Sequence, residues 1–314
     1  MTAQANTRVA FRDALMELAA DDPRYVLVCS DSGLVIKAQP FIEQFPDRIF
    51  EVGIAEQNAV NVAAGLASCG LVPFLATYSG FITMRACEQV RSFVAYPDLN
   101  VKMIGANGGM ASGEREGVTH QFFEDVGILR TMPGMTIVVP ADADQVAAAT
   151  KAVARIEGPA FIRIGSGRDP VIDGDFPPFE LGKVRFLKEY GSDVAIFVMG
   201  FVANRALAAA EQLKSEGIHA TVVDVHTVKP LDVDAITAVL QKTGAAVTVE
   251  DHNIIGGLGS AIAEVSVEEM PAHIARIGLR DVFPESGLPD PLLDKYHIGI
   301  HDIIAAAKKV INKK

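Results

Sequence analysis

Residues 50–69 read FEVGIAEQNAVNVAAGLASC, and this stretch decides the fold class. An apolar strand end is followed by Gly53, and Glu56 then opens a helix rich in small residues. Such strand–turn–helix corners are typical of parallel sheets, whose active sites lie beyond the carboxyl ends of strands. Glu56 is therefore either a site residue or a carboxylate that complements the helix dipole, and the residues alone leave both open.

Apolar runs alternate with helical segments on both sides of this corner. Strands are predicted at Tyr25–Cys29, Val72–Thr77, Val101–Ile104, Thr136–Val139, Phe161–Ile164, Val194–Met199, Ala220–Val225, Ala245–Val249 and Ile274–Gly278. Helices are predicted at Thr7–Ala20, Gln57–Cys69, Met84–Ala95, Asp144–Ile156 and Ala203–Glu216. Continuous apolar strands that alternate with helices predict an α/β fold with parallel sheets covered on both faces.

The alternation breaks at residues 165–183, GSGRDPVIDGDFPPFELGK, which are rich in Gly, Pro and Asp and lack a helical period. This composition predicts a crossover between two domains. We place the first domain at residues 1–170, the linker at 171–187 and the second domain at 188–314.

Composition excludes several classes of function. The 314 residues carry a net charge of −11 without a basic stripe, which disfavours nucleic acid or a membrane surface as partner. The longest apolar run, about ten residues from Val194, is half a membrane span, and the first residues have no apolar signal core, so a cytoplasmic protein is expected. The mean hydropathy of +0.25 fits buried parallel strands and also a self-associating surface.

Common chemical motifs are missing from the sequence. It contains no GxxxxGK[ST], HExxH, GxSxG or CxxC. The three cysteines, Cys29, Cys69 and Cys87, are odd in number and widely spaced, which argues against a disulfide framework and a zinc site. Their apolar neighbours predict that all three are small buried hydrophobic residues.

Three further segments carry candidate site residues. In ATYSGFITMR (76–85), Tyr78 and Phe81 would share one face of a helix, either as core packing or as a slot for a flat heteroaromatic ring. The glycine-rich loop 105–121 ends in His120, which is either a general acid–base or inert. Arg163 and Arg168, at a strand end and in the crossover, would clamp a phosphate or bridge the domains.

The order of several segments resembles a known family, transketolase, and specifically its C-terminal half as made by the split bacterial and archaeal enzymes. The resemblance is carried by FPDRIFEVGIAEQNAVNVAAGLA, PFLATYSGFITMRACEQVR, AYPDLNVKMIGANGG, GVTHQ, MPGMTIVVPADADQ, GPAFIRIG, VVDVHTVKPLD and VTVEDHNIIGGLGSAIAE, and it covers nearly the whole chain. It implies a thiamine-diphosphate-binding fold, with a pyrimidine-binding domain followed by the transketolase C-terminal α/β domain. It also implies transfer of a two-carbon ketol unit between sugar phosphates.

The resemblance assigns roles to residues of this chain. Glu56 matches the glutamate that hydrogen-bonds N1′ of the cofactor's aminopyrimidine ring. Tyr78 and Phe81 match the aromatic pocket around that ring. His120 matches the histidine that faces the substrate and assists proton transfer at its oxygens.

The other half of the cofactor site is expected on a partner. The family binds the cofactor's diphosphate through a metal held on a GDG…N motif, and this chain has no GDG. The resemblance therefore implies a separate subunit that holds Mg²⁺ or Ca²⁺, and a two-plus-two heterotetramer.

The loop departs from the family pattern in ways that concern the substrate. Transketolases read GEDG before THQ, whereas this chain reads GEREG (113–117), so that Glu116 replaces an aspartate that contacts a substrate hydroxyl. Asn107 stands where a histidine usually helps to hold the sugar phosphate. These changes suggest a non-standard ketose, for example a branched one such as apulose 4-phosphate, with Ser32 and Arg168 as further phosphate contacts.

Three alternatives remain beside this hypothesis. The β subunit of a 2-oxoacid dehydrogenase has a similar length and the same two domains. Deoxyxylulose-phosphate synthase shares GIAEQ and THQ but carries both halves on one chain. The chain could also be a non-catalytic subunit that only pairs.

Overall fold

The computed structural model describes residues 4–111 and 116–314. The strands are β1 (Gln4–Ala5), β2 (Tyr25–Cys29), β3 (Ile49–Glu51), β4 (Val72–Tyr78), β5 (Lys102–Ala106), β6 (Thr136–Val138), β7 (Ala160–Arg163), β8 (Asp169–Pro170), β9 (Arg185–Glu189), β10 (Val194–Val198), β11 (Ala220–Asp224), β12 (Thr227–Lys229), β13 (Ala245–Asn253) and β14 (His273–Leu279). The helices are α1 (Thr7–Asp21), α2 (Gln39–Gln44), α3 (Glu56–Ser68), α4 (Cys87–Gln89), α5 (Asp125–Arg130), α6 (Ala143–Ala154), α7 (Ala203–Ser215), α8 (Val233–Thr243), α9 (Leu258–Glu268), α10 (Pro289–Lys295) and α11 (Ile300–Ile311).

The first sheet has the strand order β12-β6-β7-β5-β4-β2-β3. Its strands are parallel apart from β12, which pairs antiparallel with β6. Alternate residues of β2 point to opposite faces: Leu27 and Cys29 pack with α1 and α6, while Val28 packs with α3. Both faces of the sheet are therefore buried, which explains its continuous apolar strands.

The second sheet has the strand order β14-β13-β10-β11-β9, with β9 antiparallel at its edge. One face packs against α7 and α11. The other face packs against α8 and α9, and this hydrophobic cluster is continuous with the α3 side of the first sheet. The two sheets therefore share a core, and the second sheet lies against the first.

The predicted α/β fold is confirmed, with several local corrections. The predicted helix Met84–Ala95 is a π-helical turn at Phe81–Arg85, the short α4 and a second π-helical stretch at Val90–Ala95. The prediction that all three cysteines are buried is wrong, because Cys69 is exposed and Cys87 is half-buried. The domain bounds at 170 and 188 stay a prediction; β12, which lies beyond the second bound, pairs with the first sheet.

Among residues 4–111 and 116–314, no helix is both long and apolar enough to cross a membrane.

Candidate active site

The candidate residues follow the carboxyl ends of neighbouring parallel strands. β2, β3, β4, β5 and β7 run in one direction, so their carboxyl ends meet at one edge of the first sheet. Ser32, Glu56 and Asn107 come shortly after β2, β3 and β5, and Tyr78 and Arg163 end β4 and β7. The predicted strand–turn–helix corner at Glu56 is present, since α3 begins at this residue.

Glu56 is a buried carboxylate with a cationic partner. Its side chain is 2% exposed, and one oxygen accepts a hydrogen bond from Arg85 Nη1 at 2.7 Å. The Arg85 guanidinium lies 4.0 Å from the centre of the Phe81 ring, and its side chain is 46% exposed. The spacing from Phe81 to Arg85 in the π-helical turn places this cation over the ring and within reach of Glu56. Arg85 ends the segment ATYSGFITMR, but no pattern in the sequence distinguishes it as a site residue.

Four aromatic side chains converge beside this pair. The ring centres of Tyr78 and Phe81 are 5.5 Å apart, and the His120 ring lies 5.2 Å from each of them in edge-to-face geometry. Phe122 closes the cluster at 5.3 Å from Phe81. Nδ1 of His120 is 3.0 Å from the Thr119 hydroxyl, which leaves Nε2 as the ring nitrogen without that contact.

The helical face predicted for Tyr78 and Phe81 is wrong, although their proximity is real. Tyr78 is the last residue of β4 and Phe81 begins the π-helical turn, so the chain bends between the two rings. The pKa of Tyr78 is raised by burial and, secondarily, by the negative charge of Glu116. The phenol therefore stays protonated and can donate a hydrogen bond at neutral pH.

Arg8 of α1 reaches the same edge of the sheet. Its guanidinium donates to Asn107 Oδ1 and to the carbonyl oxygens of Val35, at 3.1 Å, and Gly165, at 3.4 Å. Burial lowers the pKa of Arg8, and Arg168 is close enough to lower it further. Sequence reasoning missed Arg8, because no motif distinguishes it from the other arginine of α1.

Ser32 is buried under the edge. Its hydroxyl donates to the Ala76 carbonyl oxygen at 2.6 Å and accepts from the Ser30 N–H at 3.2 Å. This hydrogen bond therefore joins the segment that follows β2 to strand β4. A contact between Ser32 and a substrate stays a prediction, with Oγ as an acceptor.

The remaining substrate candidates lie nearer the surface. Glu116 is exposed, and residues 112–115, which include most of the GEREG segment, lie outside the described residues. Arg168 is exposed and lines a cavity of about 320 Å³ between the first domain and the start of α7. The negative charge of Glu116 raises the pKa of Arg8, and the positive charge of Arg168 lowers it.

Arg163 is the residue for which sequence reasoning left a phosphate clamp and a domain bridge open. It is buried, and its Nε bonds to Asp125 at 2.9 Å. Its Nη2 donates to the carbonyl oxygens of Phe122 and Asp251, both at 2.9 Å. These partners lie on the site loop and on β13, so the side chain bridges the domains.

Comparison with known proteins agrees with this arrangement. Residues 3–167 match the family model "Transketolase, pyrimidine binding domain", and residues 182–303 match "Transketolase, C-terminal domain". The chain belongs to the transketolase family. Members of this family depend on thiamine diphosphate. The resemblance to transketolase that the sequence shows is confirmed.

Individual relatives place this transketolase chain among the split forms. It is 42% identical to 6-deoxy-6-sulfo-D-fructose transketolase subunit SqwH of Clostridium sp., over 98% of this chain and 95% of that one. It is 36% identical to one of the subunits of the apulose-4-phosphate transketolase of Phocaeicola vulgatus, over 98% and 97%. A solved split gene transketolase, described as an inactive beta4 tetramer, superposes with a TM-score of 0.89 at 39% identity over 99% of both chains. The chain thus corresponds in length to a single subunit of these enzymes.

Proposed function

We propose that this chain is the C-terminal subunit of a split transketolase that transfers a two-carbon ketol unit from a ketose phosphate to an aldose phosphate. A separate diphosphate-binding subunit completes the enzyme, in a two-plus-two heterotetramer. The observation that carries the proposal is the buried Glu56 carboxylate, which accepts a hydrogen bond from a flat cation stacked on Phe81.

This arrangement fits the aminopyrimidine ring of thiamine diphosphate. Arg85 is a planar donor group, and it satisfies a carboxylate and the face of an aromatic ring at the same time. An aminopyrimidine ring is likewise planar and would present N1′ to Glu56. When bound, thiamine diphosphate supplies the carbanion chemistry that breaks the ketose carbon–carbon bond.

The chain's own residues orient the ring and handle protons. With thiamine diphosphate bound, the buried Glu56 carboxylate would hold N1′ of the aminopyrimidine ring and could share a proton with it. Tyr78 and Phe81 exclude water from the ring. His120 lies against both aromatics at 5.2 Å, where its Nε2 can give a proton to a substrate oxygen or take one from it.

The metal is proposed to lie on the partner. Within residues 4–111 and 116–314 no group of three or more His, Cys, Asp or Glu side chains could hold a metal ion. The sequence also lacks the GDG segment that the family uses. We therefore assign Mg²⁺, or Ca²⁺, and the diphosphate to the separate subunit.

The substrate is proposed to be a ketose with an anionic end that lies against Arg8. This guanidinium donates to Asn107 Oδ1, and the positive charge of Arg168 lowers its pKa. Because Asn107 stands where a histidine usually contacts the phosphate, we retain a non-standard sugar, such as apulose 4-phosphate, as the preferred donor. One relative is named for a sulfo-sugar, 6-deoxy-6-sulfo-D-fructose, and another for apulose 4-phosphate. These names support an unusual anionic ketose as the donor.

A donor screen tests the proposal. The chain is purified alone and with a candidate diphosphate-domain subunit, and two-carbon transfer is measured with thiamine diphosphate and Mg²⁺. The donors are xylulose 5-phosphate, apulose 4-phosphate and 6-deoxy-6-sulfofructose. We expect activity only with the partner and its loss in Glu56→Ala. No transfer from any donor by a cofactor-loaded complex would refute the function, and equal or better efficiency on xylulose 5-phosphate would refute the non-standard donor.

A further inference from the structure

The loop that carries His120 begins against a carboxylate of the second domain. Asp251 lies in β13 and is 2% exposed. Its two carboxylate oxygens accept the backbone N–H groups of Met110, at 2.9 Å, and Ala111, at 3.0 Å. A buried carboxylate that receives two backbone donors fixes their direction as well as their distance.

Gly109 makes this approach possible. Its φ is +97°, a region that residues with a side chain rarely adopt. A Cβ at this position would lie 2.3 Å from Asp251 Oδ2, well inside contact distance. The glycine is therefore needed both for the backbone conformation and for the close fit of the carboxylate.

The far end of the loop is fastened to the same strand. The Phe123 carbonyl oxygen accepts from the Asn253 N–H at 2.7 Å, and Arg163 Nη2 joins the carbonyl oxygens of Phe122 and Asp251. The Gly109 N–H also donates to the Phe122 carbonyl oxygen at 2.7 Å, which ties the two ends to each other. His120 lies in the segment between these fastened ends.

We propose that Asp251 is a positioning residue, which holds the loop so that His120 stays against Tyr78 and Phe81. The second domain thereby acts on a site formed by the first. The role in catalysis rests on the proposed function, whereas the anchoring of the loop does not. No contact in the described structure links Asp251 to Glu56, so Asp251 should act on the substrate side of the reaction and not on cofactor binding.

The neighbouring Glu250 provides a matched control. It is also fully buried in β13, and its carboxylate also accepts two backbone N–H groups, from Leu258 at 2.7 Å and Gly259 at 2.8 Å. Those donors begin α9 and do not belong to the loop. Asp251→Asn and Glu250→Gln each replace one acceptor oxygen by an NH2 group, which donates and cannot accept, so they make the same chemical change at two different segments.

The experiment compares both variants in the complex with the diphosphate-binding subunit. For Asp251→Asn we expect kcat/KM for the ketose donor to fall about 10- to 100-fold, the cost of a small misplacement of a reacting group. The dissociation constant of thiamine diphosphate should not change, and amide hydrogen exchange should quicken in residues 105–111 and 116–123. Glu250→Gln should keep the kinetics and quicken exchange at the start of α9 instead.

A double-mutant cycle separates positioning from general loosening. If Asp251 acts through His120, Asp251→Asn should have no further effect on kcat/KM in a His120→Ala background. Unchanged kinetics and loop exchange in Asp251→Asn, fully additive losses in the double variant, or an equal loss of activity in Glu250→Gln would each overturn the proposal.

Two further measures keep the test decisive. If Asp251→Asn does not fold, Gly109→Ala replaces it under the same criteria. The added methyl group lies on the loop and separates the Asp251 carboxylate from the N–H groups of Met110 and Ala111. If the wild-type complex transfers no two-carbon unit, the proposed function fails on its own. The exchange comparison, which needs no activity, then decides the anchoring.

Discussion

The Arg85 guanidinium donates to the Glu56 carboxylate at 2.7 Å while it lies 4.0 Å from the centre of the Phe81 ring. A single side chain thus satisfies the buried acid and covers the aromatic face that the proposed function assigns to the aminopyrimidine ring. A buried carboxylate without a partner is costly, so this contact stabilises the chain before the cofactor arrives. Because the Arg85 side chain is 46% exposed, we expect it to move aside when the cofactor binds.

Arg85→Met should therefore tighten the binding of thiamine diphosphate. The substitution removes the competing donor and leaves Glu56 unpaired until the cofactor supplies a hydrogen bond. For a half-exposed ion pair the gain should be on the order of 1 kcal/mol, or about a fivefold lower dissociation constant. Calorimetric titration of thiamine diphosphate into the complex with the diphosphate-binding subunit measures this dissociation constant.

The exposed Arg91, on the following helical stretch, provides the control for charge. Arg91→Met should leave the dissociation constant unchanged. A weaker affinity in Arg85→Met would contradict the competition, because it would mean that Arg85 keeps its bond to Glu56 in the bound state.

Glu56→Gln should abolish most of the activity and keep the fold. Glutamine preserves the size of the side chain and one acceptor oxygen, but it cannot share a proton with N1′. We expect kcat to fall about 10²- to 10⁴-fold, the usual contribution of a positioned acid–base group. Initial rates of two-carbon transfer at saturating cofactor give the number. Glu88→Gln, at an exposed position, should keep the wild-type rate, and a Glu56→Gln rate close to it would remove this residue from the mechanism.

The sequence was sufficient to predict the edge of the sheet at which the site lies. The corner at residues 50–57 combines a strand end, a glycine and a helix start within eight residues, so local pattern determines it. The loop after β5 was found in the same way, from its glycines and His120. Parallel strands then bring these local features together, because their carboxyl ends share one edge.

The contacts between distant elements could not be predicted. Arg8 meets Asn107 across 99 residues, and Arg85 meets Glu56 across 29, which no local period encodes. The prediction of a regular helix at Met84–Ala95 fails at the π-helical segments Phe81–Arg85 and Val90–Ala95, because apolar spacing does not distinguish the two conformations. Strand β12 lies within the predicted second domain in the sequence, yet it pairs with β6 of the first sheet.

Arg8→Met should weaken the binding of the anionic donor. A guanidinium bonded to an anionic group contributes about 1.5–3 kcal/mol, so KM for the donor should rise roughly 10- to 150-fold with a smaller effect on kcat. The rise should shrink at high salt. Steady-state kinetics with a ketose phosphate and with an uncharged ketose provide the comparison.

The uncharged ketose shows whether Arg8 acts on charge or on structure. If Arg8 acts through its charge, KM for the uncharged ketose should be the same in Arg8→Met and in the wild type. Arg12→Met alters the next arginine of α1, which is paired with Asp13, and should leave both donors unaffected. Equal losses on charged and uncharged donors would assign Arg8 a structural role only.

His226 should make the folded chain sensitive to acid. It is 2% exposed, its ring centre lies 4.4 Å from that of Phe179, and Nδ1 is 2.9 Å from the Thr227 hydroxyl. Burial, followed by the positive charge of Arg185, lowers the pKa of His226 to about 3. Below the unfolded-state pKa of about 6.5, the unfolded chain binds a proton that the folded chain refuses, so the stability is present above that pH and is lost as the pH falls toward 3.

His226→Asn should remove this loss, because the amide can take the place of Nδ1 and does not titrate. The free energy of unfolding of the wild type should fall by about 2 kcal/mol more than that of the variant between pH 8 and pH 5, which is the linkage expected from these two pKa values. Urea unfolding at the two pH values measures both chains, and other titrating groups cancel because they are common to both. His301→Asn, at an exposed position, should follow the wild type. If the wild type and His226→Asn lost stability in parallel, His226 would have to accept its proton in the folded state, and its burial against Phe179 would not suppress ionisation.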